Sequence, residues 1–137
     1  MVSSIWDSGS VLYERSLNVR SGIHETIASN LANEETPGYK NRILPFHETL
    51  SALQRGESPL DTRRTHPRHL SISTPGNQVF QHVNVVNSGG GLDGNTVNLE
   101  EEMTQMAENT MMYMAVSQFL KGRFDGWRAA IGEGRNG

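Results

Sequence analysis

The residues whose chemistry asks first for a role are five histidines, of which His66, His69 and His82 fall in the middle of the chain. His66-Pro67-Arg68-His69 sets two imidazoles three positions apart, the spacing that places two metal ligands on one face of a helix. Pro67 disfavours a helix between them, and no carboxylate flanks the pair closely. Asp61 beside either imidazole could orient a serine, but nothing around it resembles a nucleophile elbow. Gly89-Gly90-Gly91 lacks the lysine and the strand-to-helix context of a phosphate-binding loop. Cysteine is absent, which removes thiolate catalysis, disulfides and Cys-based zinc sites together. A soluble metal-dependent enzyme using His66, His69 and His82 is the one chemical alternative the sequence leaves open. No other group is arranged for catalysis or for holding a cofactor.

Composition narrows the remaining classes. The chain has 137 residues, 35% of them hydrophobic, which suits one domain with a thin core. Its net charge of −3, without a Lys/Arg-rich run, provides no basic field for nucleic acid. No stretch reaches the roughly 18 apolar residues of a membrane span. Met1 to Ser10 lacks the basic start and apolar run of a cleavable signal peptide.

The elements that would position any site are two long helices. Leu99, Met103, Met106, Thr110, Tyr113, Ser117, Leu120, Phe124, Trp127 and Ile131 alternate in steps of four and three, the spacing of a coiled-coil seam. Asn98 stands at the N-cap, Glu101 at the capping-box position, and Glu100 and Glu102 complete an acidic first turn. Gly132 is expected as a left-handed C-cap after Ile131. Met106, Met111, Met112, Met114, Val116 and Phe119 form a second apolar stripe, so this helix is expected to bury more than one side. Gly122 and Gly126 weaken its last turns.

The earlier helix is expected over 11–33, with Leu12, Val19 and Ile23 beside Tyr13, Leu17, Ile27 and Leu31 on its apolar face, and His24 as a packing residue. Pro37 must end it, and Thr36-Pro37-Gly38-Tyr39 has the composition of a type II turn. All five prolines lie between the helices. Strand character in 70–73 and 79–86 predicts at most a small hairpin, and 87–94 a flexible linker. The expected fold is mainly α: long N- and C-terminal helices pairing as a coiled coil, with an irregular Pro/Gly-rich middle holding a short β-hairpin. The corresponding divisions are a tail (1–10), the first helix and its end (11–36), the middle (37–95), the C-terminal helix (96–132) and a second tail (133–137).

One stretch points to a family. Ala28-Ser29-Asn30-Leu31-Ala32-Asn33, ending through Glu34-Glu35 in Thr36-Pro37-Gly38-Tyr39, resembles the N-terminal signature of bacterial flagellar rod, hook and hook-associated axial proteins. Glu34-Glu35 departs from the family's small residue and Asn or Asp at a helix end. The run from Leu92 to Glu100, followed by Met103 and Ala107-Glu108-Asn109, and the run from Arg64 to His69, are similar to the proximal-rod members of that family.

The resemblance implies a structural subunit, not an enzyme, whose terminal helices pack into a helical tube and transmit torque. It implies passage unfolded through the flagellar type III export apparatus without a cleaved signal, with ordering of the termini on assembly. It places the chain in the basal body, as part of the periplasmic rod. The partners implied are other rod proteins, further copies of the chain and the adaptor FliE at the membrane-ring base; no nucleic acid, small-molecule substrate, cofactor or metal is implied. Asn30, Asn33, Thr36, Pro37, Gly38 and Tyr39 are the junction residues it singles out, and Ile5 and Trp6 the candidate export element. Another flagellar axial rod protein is the alternative within the family.

Overall fold

The computed structural model describes residues 8–56, 83–87 and 91–133. Ile5 and Trp6, the 70–73 segment, and His66, His69 and His82 lie outside them. The described elements are α1 (Ser8–Ala32), β1 (Arg42–Ile43), α2 (Phe46–Arg55), β2 (Asn84–Val85) and α3 (Leu99–Glu133). At about 1.5 Å per residue, the 25 residues of α1 and the 35 of α3 span roughly 37 and 52 Å. The architecture is mainly helical, as the apolar periodicity requires.

The two long helices lie antiparallel. Asn30, near the end of α1, bonds Glu102 in the first turn of α3, Arg20 bonds Asn109 farther along, and Tyr13 stacks on Phe119 at 6.5 Å between ring centroids. Gly9 lies against the Arg123 side chain. The start of α3 is the one its sequence specifies: Asn98 Oδ1 accepts the backbone N–H of Glu100 at 3.1 Å and of Glu101 at 3.4 Å. The Glu101 carboxylate accepts from Gln105 one turn on. The expected end differs. Gly132 is not among the glycines with positive φ and lies within α3, which continues to Glu133.

A helix occupies part of the stretch expected to be irregular. Pro45 is extended at its N-cap, Thr49 Oγ1 returns to the Pro45 carbonyl at 2.7 Å, and Gly56 closes it in the left-handed conformation (φ 67°) with its N–H on the Ala52 and Leu53 carbonyls. At ten residues it is too short to hold itself together in water. It forms by docking on α1, with Thr49 and Ala52 buried and Phe46 under the Arg20 guanidinium at 4.3 Å.

The described sheet joins segments far apart in sequence; the 70–73 and 79–82 part of the expected hairpin lies outside the described residues. Asn84–Val85 pairs antiparallel with Arg42–Ile43, far back in the chain, and Val86 N–H extends the ladder to the Asn41 carbonyl at 2.8 Å. The fully buried apolar side chains among the described residues are only Val19, Ile27, Leu44 and Ala52. Ser10, Ser16, Thr26, Asn30, Asn41, Thr49, Asn95, Glu102 and Asn109 are buried with them. This core is therefore held as much by hydrogen bonds as by apolar contact.

Candidate functional site

The polar groups concentrate where α1 ends and α3 begins. Thr36 N–H donates to the Asn33 carbonyl, Tyr39 N–H returns to Thr36 O at 3.2 Å, and Gly38 adopts φ 75°, so the chain leaves α1 through a type II turn. Asn33 Nδ2 donates to Ser29 O at 2.8 Å, and its Oδ1 accepts from Thr36 Oγ1 at 3.4 Å. Tyr39 lays its hydroxyl between Ser29 Oγ and Asn30 Oδ1, each at 3.4 Å. Pro37 is exposed.

The Asp93-Gly94-Asn95-Thr96 segment closes onto this turn. Gly38 N–H donates to Asp93 O at 3.0 Å, Thr96 N–H to Tyr39 O at 3.1 Å, and Lys40 Nζ to Gly94 O at 2.8 Å. Asn95 Nδ2 donates to the carbonyls of Asn33, Glu34 and Thr36 at 3.0, 2.6 and 2.9 Å. These carbonyls lie at and beyond the end of α1, where no further turn of helix supplies donors. Val97 N–H fixes the orientation of the amide by donating to Asn95 Oδ1 at 2.8 Å. Gly94, also left-handed at φ 77°, backs onto Gly38: a Cβ at 94 would stand 3.7 Å from Gly38 Cα. The two segments singled out at opposite ends of the sequence are one structure in space.

Beneath the turn lies a buried triad of Asn30, Asn41 and Glu102. Asn30 Nδ2 donates to Asn41 Oδ1, to Arg42 O at 2.7 Å and to Glu102 Oε2 at 3.0 Å. Its Oδ1 accepts Arg42 N–H at 3.0 Å. Asn41 Nδ2 donates to Glu102 Oε1 at 2.8 Å, and Asn41 N–H to Thr96 Oγ1 at 2.7 Å. Asn30 is 0% and Glu102 1% exposed. The carboxylate thus receives one amide on each oxygen, and both amides come from the α1 side of the junction.

One helical heptad farther along, Asn109 repeats the device. Its Nδ2 donates to Arg20 O at 2.9 Å and its Oδ1 accepts Arg20 Nη1 at 3.4 Å. Partial burial lowers the Arg20 guanidinium pKa from its ordinary value, and its Nε has no hydrogen bond among the described residues.

The expected seam residues divide between two faces. Facing α1, α3 carries Glu102, Asn109, Val116 and Arg123 in one series and Met106, Tyr113, Leu120 and Trp127 in the other, with Ile27, Leu17 and Leu31 of α1 buried or half-buried. Leu99, Met103, Tyr113, Phe124 and Ile131 stay exposed, Met103 at 59% and Ile131 at 75%. Relative to the mostly apolar seam read from the sequence, α3 is turned by about one residue, which brings polar positions inward. The turn follows from Asn30 and Asn41, whose buried donors need the Glu102 carboxylate more than the seam needs Met103.

Sequence reasoning missed Asn41, Asn95, Glu102, Asn109 and Arg20 as junction residues. The available signal was the seven-residue spacing of Glu102 and Asn109 beside the apolar heptad series of Met106 and Leu120. The junction is chemically a clamp: amides, carbonyls and one carboxylate satisfying each other. Among the described residues no group of three or more His, Asp or Glu could hold a metal ion.

With that geometry in place, similarity to known proteins can be stated. The chain is 32% identical over 127 residues to the flagellar basal body rod protein FlgB of Escherichia coli K12, covering 88% of this chain and 91% of the relative. It is 27% identical over 126 residues to FlgB of Aeromonas hydrophila, covering 92% and 94%. With FlgB of Bacillus subtilis the identity is 28% over 114 residues, covering 81% and 83%. No protein-family model matches the chain.

Proposed function

The chain belongs to the FlgB family of flagellar basal body rod proteins and is a structural subunit of the rod; we propose that it assembles there through the exposed apolar face of α3, while the junction holds α1 and α3 as one building block. The observation carrying this reading is the outward stripe of α3. Met103, Met111 and Met114, on the side of α3 turned away from α1, are each more than half exposed. A helix face turned to water does not ordinarily carry a cluster of methionines without a partner. A groove of about 810 Å³ between α2 and α3, lined by Leu44, Phe46, Met111, Met112 and Ala115, extends that surface.

The partners are other rod proteins and further copies of the chain, with the adaptor FliE at the base, in the periplasmic part of the rod. The subunit reaches that place unfolded through the type III export apparatus and without a cleaved signal, and Ile5 and Trp6 form the export element. Two features suit such a route: there is no cysteine to cross-link prematurely, and the small, hydrogen-bonded core costs little to open. Its contribution is packing and torque transmission, and no catalytic step is assigned to it.

The test is complementation of a strain lacking this subunit. Met103→Glu and Met111→Glu should leave the helicity of the purified chain unchanged, yet abolish swimming and remove the chain from isolated basal bodies. Normal incorporation and normal swimming with both substitutions present would overturn the reading.

A further inference from the structure

We infer that the buried Glu102 carboxylate is the specificity determinant of helix pairing: it admits α3 to α1 in one register only. The inference deepens the assembly reading, and rests on it only for the competing helices, those of neighbouring copies.

The apolar residues do not set the register. Met106, Tyr113, Leu120 and Trp127 recur every seven residues on the face turned to α1. A slip of one heptad therefore replaces one large apolar side chain by another, and the series does not discriminate between registers. Polar positions on the same face do not repeat in this way. Glu102 is followed seven residues on by Asn109, whose single amide oxygen cannot replace two carboxylate oxygens, and seven residues before it α3 has not begun.

The α1 side presents two amides to the carboxylate, and the Asn41 amide has it as its acceptor. Asn30 cannot turn its amide over, because its Oδ1 holds Arg42 N–H at 3.0 Å and a reversed amide would oppose two donors. Its Nδ2 therefore stays turned toward Glu102 Oε2, sharing two hydrogens among Asn41 Oδ1, Arg42 O and the carboxylate, while Asn41 Nδ2 donates at 2.8 Å to the other carboxylate oxygen. Sliding α3 one way sets Asn109 against Asn30, carries Glu102 past the end of α1, and brings Gly126 to Tyr13. Sliding it the other way leaves no turn of α3 opposite Asn30, sets Glu102 against Ile23, and brings Met112 to Tyr13. In the first case one buried donor loses its acceptor; in the second a carboxylate is buried against an aliphatic side chain. A copy of α3 from a neighbouring subunit meets the same requirement, and it lacks the short connection through Thr96 that delivers Glu102 to the triad at no cost in chain entropy.

The absence of cysteine allows a direct reading on the full chain. Tyr13→Cys with Phe119→Cys reports the native register, since these rings stack at 6.5 Å. Tyr13→Cys with Met112→Cys or with Gly126→Cys reports the two slips. On mild oxidation of dilute chain, the native intramolecular disulfide should exceed either slipped one by about tenfold or more. In a Glu102→Leu background the preference should collapse toward parity, and Glu102→Gln, which retains one acceptor, should restore part of it.

Because Glu102→Leu leaves the buried Asn41 amide without its carboxylate acceptor and can unfold the pair, the same ratio is read in Asn30→Leu/Asn41→Leu/Glu102→Leu, where no side-chain donor is orphaned and Arg42 N–H is the one donor that loses its partner. This variant should remain helical by circular dichroism and show mixed registers. A retained tenfold preference in the triple variant, or equal native and slipped disulfides in the parent chain, would overturn the inference. Failure of the rod reading would appear instead as absence of the unsubstituted chain from basal bodies, so the two fail separately.

Discussion

At the scale of single residues, the junction depends on side chains that cannot be exchanged for close relatives. Asn95 gives its amide to three carbonyls at and past the end of α1 while its own oxygen is held by Val97 N–H. Asn95→Ala removes all of these bonds at once, and Asn95→Asp replaces the donor by an acceptor facing acceptors. Each should lower unfolding stability by about 1–3 kcal/mol in denaturant titration, with Asp the worse of the two. Gly38 presents a different requirement. Nothing lies within 4 Å of a Cβ built there, so a substitution is not excluded by space; φ of 75° is the obstacle. Gly38→Val should cost about 1–2 kcal/mol through backbone strain, and Gly38→Asn clearly less. Equal losses for Val and Asn would point to crowding instead. These glycine and proline positions were legible in the sequence because turn chemistry is local. Asn41 and Glu102 were not, because the meaning of a buried amide lies in its partner, and that partner is 61 residues away.

At the scale of elements, α1 and α3 could be read from periodicity, but the facing side of α3 could not. Both the face read from the sequence and the observed face contain Met106, Tyr113, Leu120 and Trp127; what separates them is whether Met103 or Glu102 completes the stripe. Hydrophobicity alone favours Met103, and the Asn30–Asn41 pair decides otherwise. The short α2 escaped because Pro45 and Gly56 suggest punctuation, and because its stability comes from docking rather than propensity. In the far half of α3, Gly122 and Gly126 sit in helical conformation, and a Cβ at either would meet nothing within 4 Å. Gly122→Ala and Gly126→Ala should each stabilise the isolated helix by about 1 kcal/mol, seen as increased ellipticity of the purified chain. If that gain in helicity is accompanied by a loss of swimming, the glycines serve close approach by a neighbouring helix in the rod.

At the scale of the whole molecule, cohesion is unevenly distributed along the helical pair. The polar clamp, the two-stranded ladder and the docked α2 all gather around one end of it. Toward the other end, Gly9 meets Arg123, and the turns from Phe124 to Glu133 run on past the described start of α1. There Phe124 and Trp127 pack edge to face on their own helix, with rings 5.4 Å apart, and Ile131 is 75% exposed. Local stability follows buried contact and hydrogen bonding, so opening should become easier along α3 from Glu102 toward Ile131. Amide hydrogen exchange on dilute chain should show the slowest exchange in the second half of α1 and the first three turns of α3, and the fastest beyond Phe124. In assembled basal bodies the gradient should flatten, because the neighbours that cover Met111, Phe119 and Ile131 would protect the turns that the single chain leaves open. Uniform protection along α3 in a proven monomer would mean that its outer apolar face needs no neighbour. Uniformly fast exchange would mean that the clamp itself closes only in the rod, and that family members meet as unpaired helices.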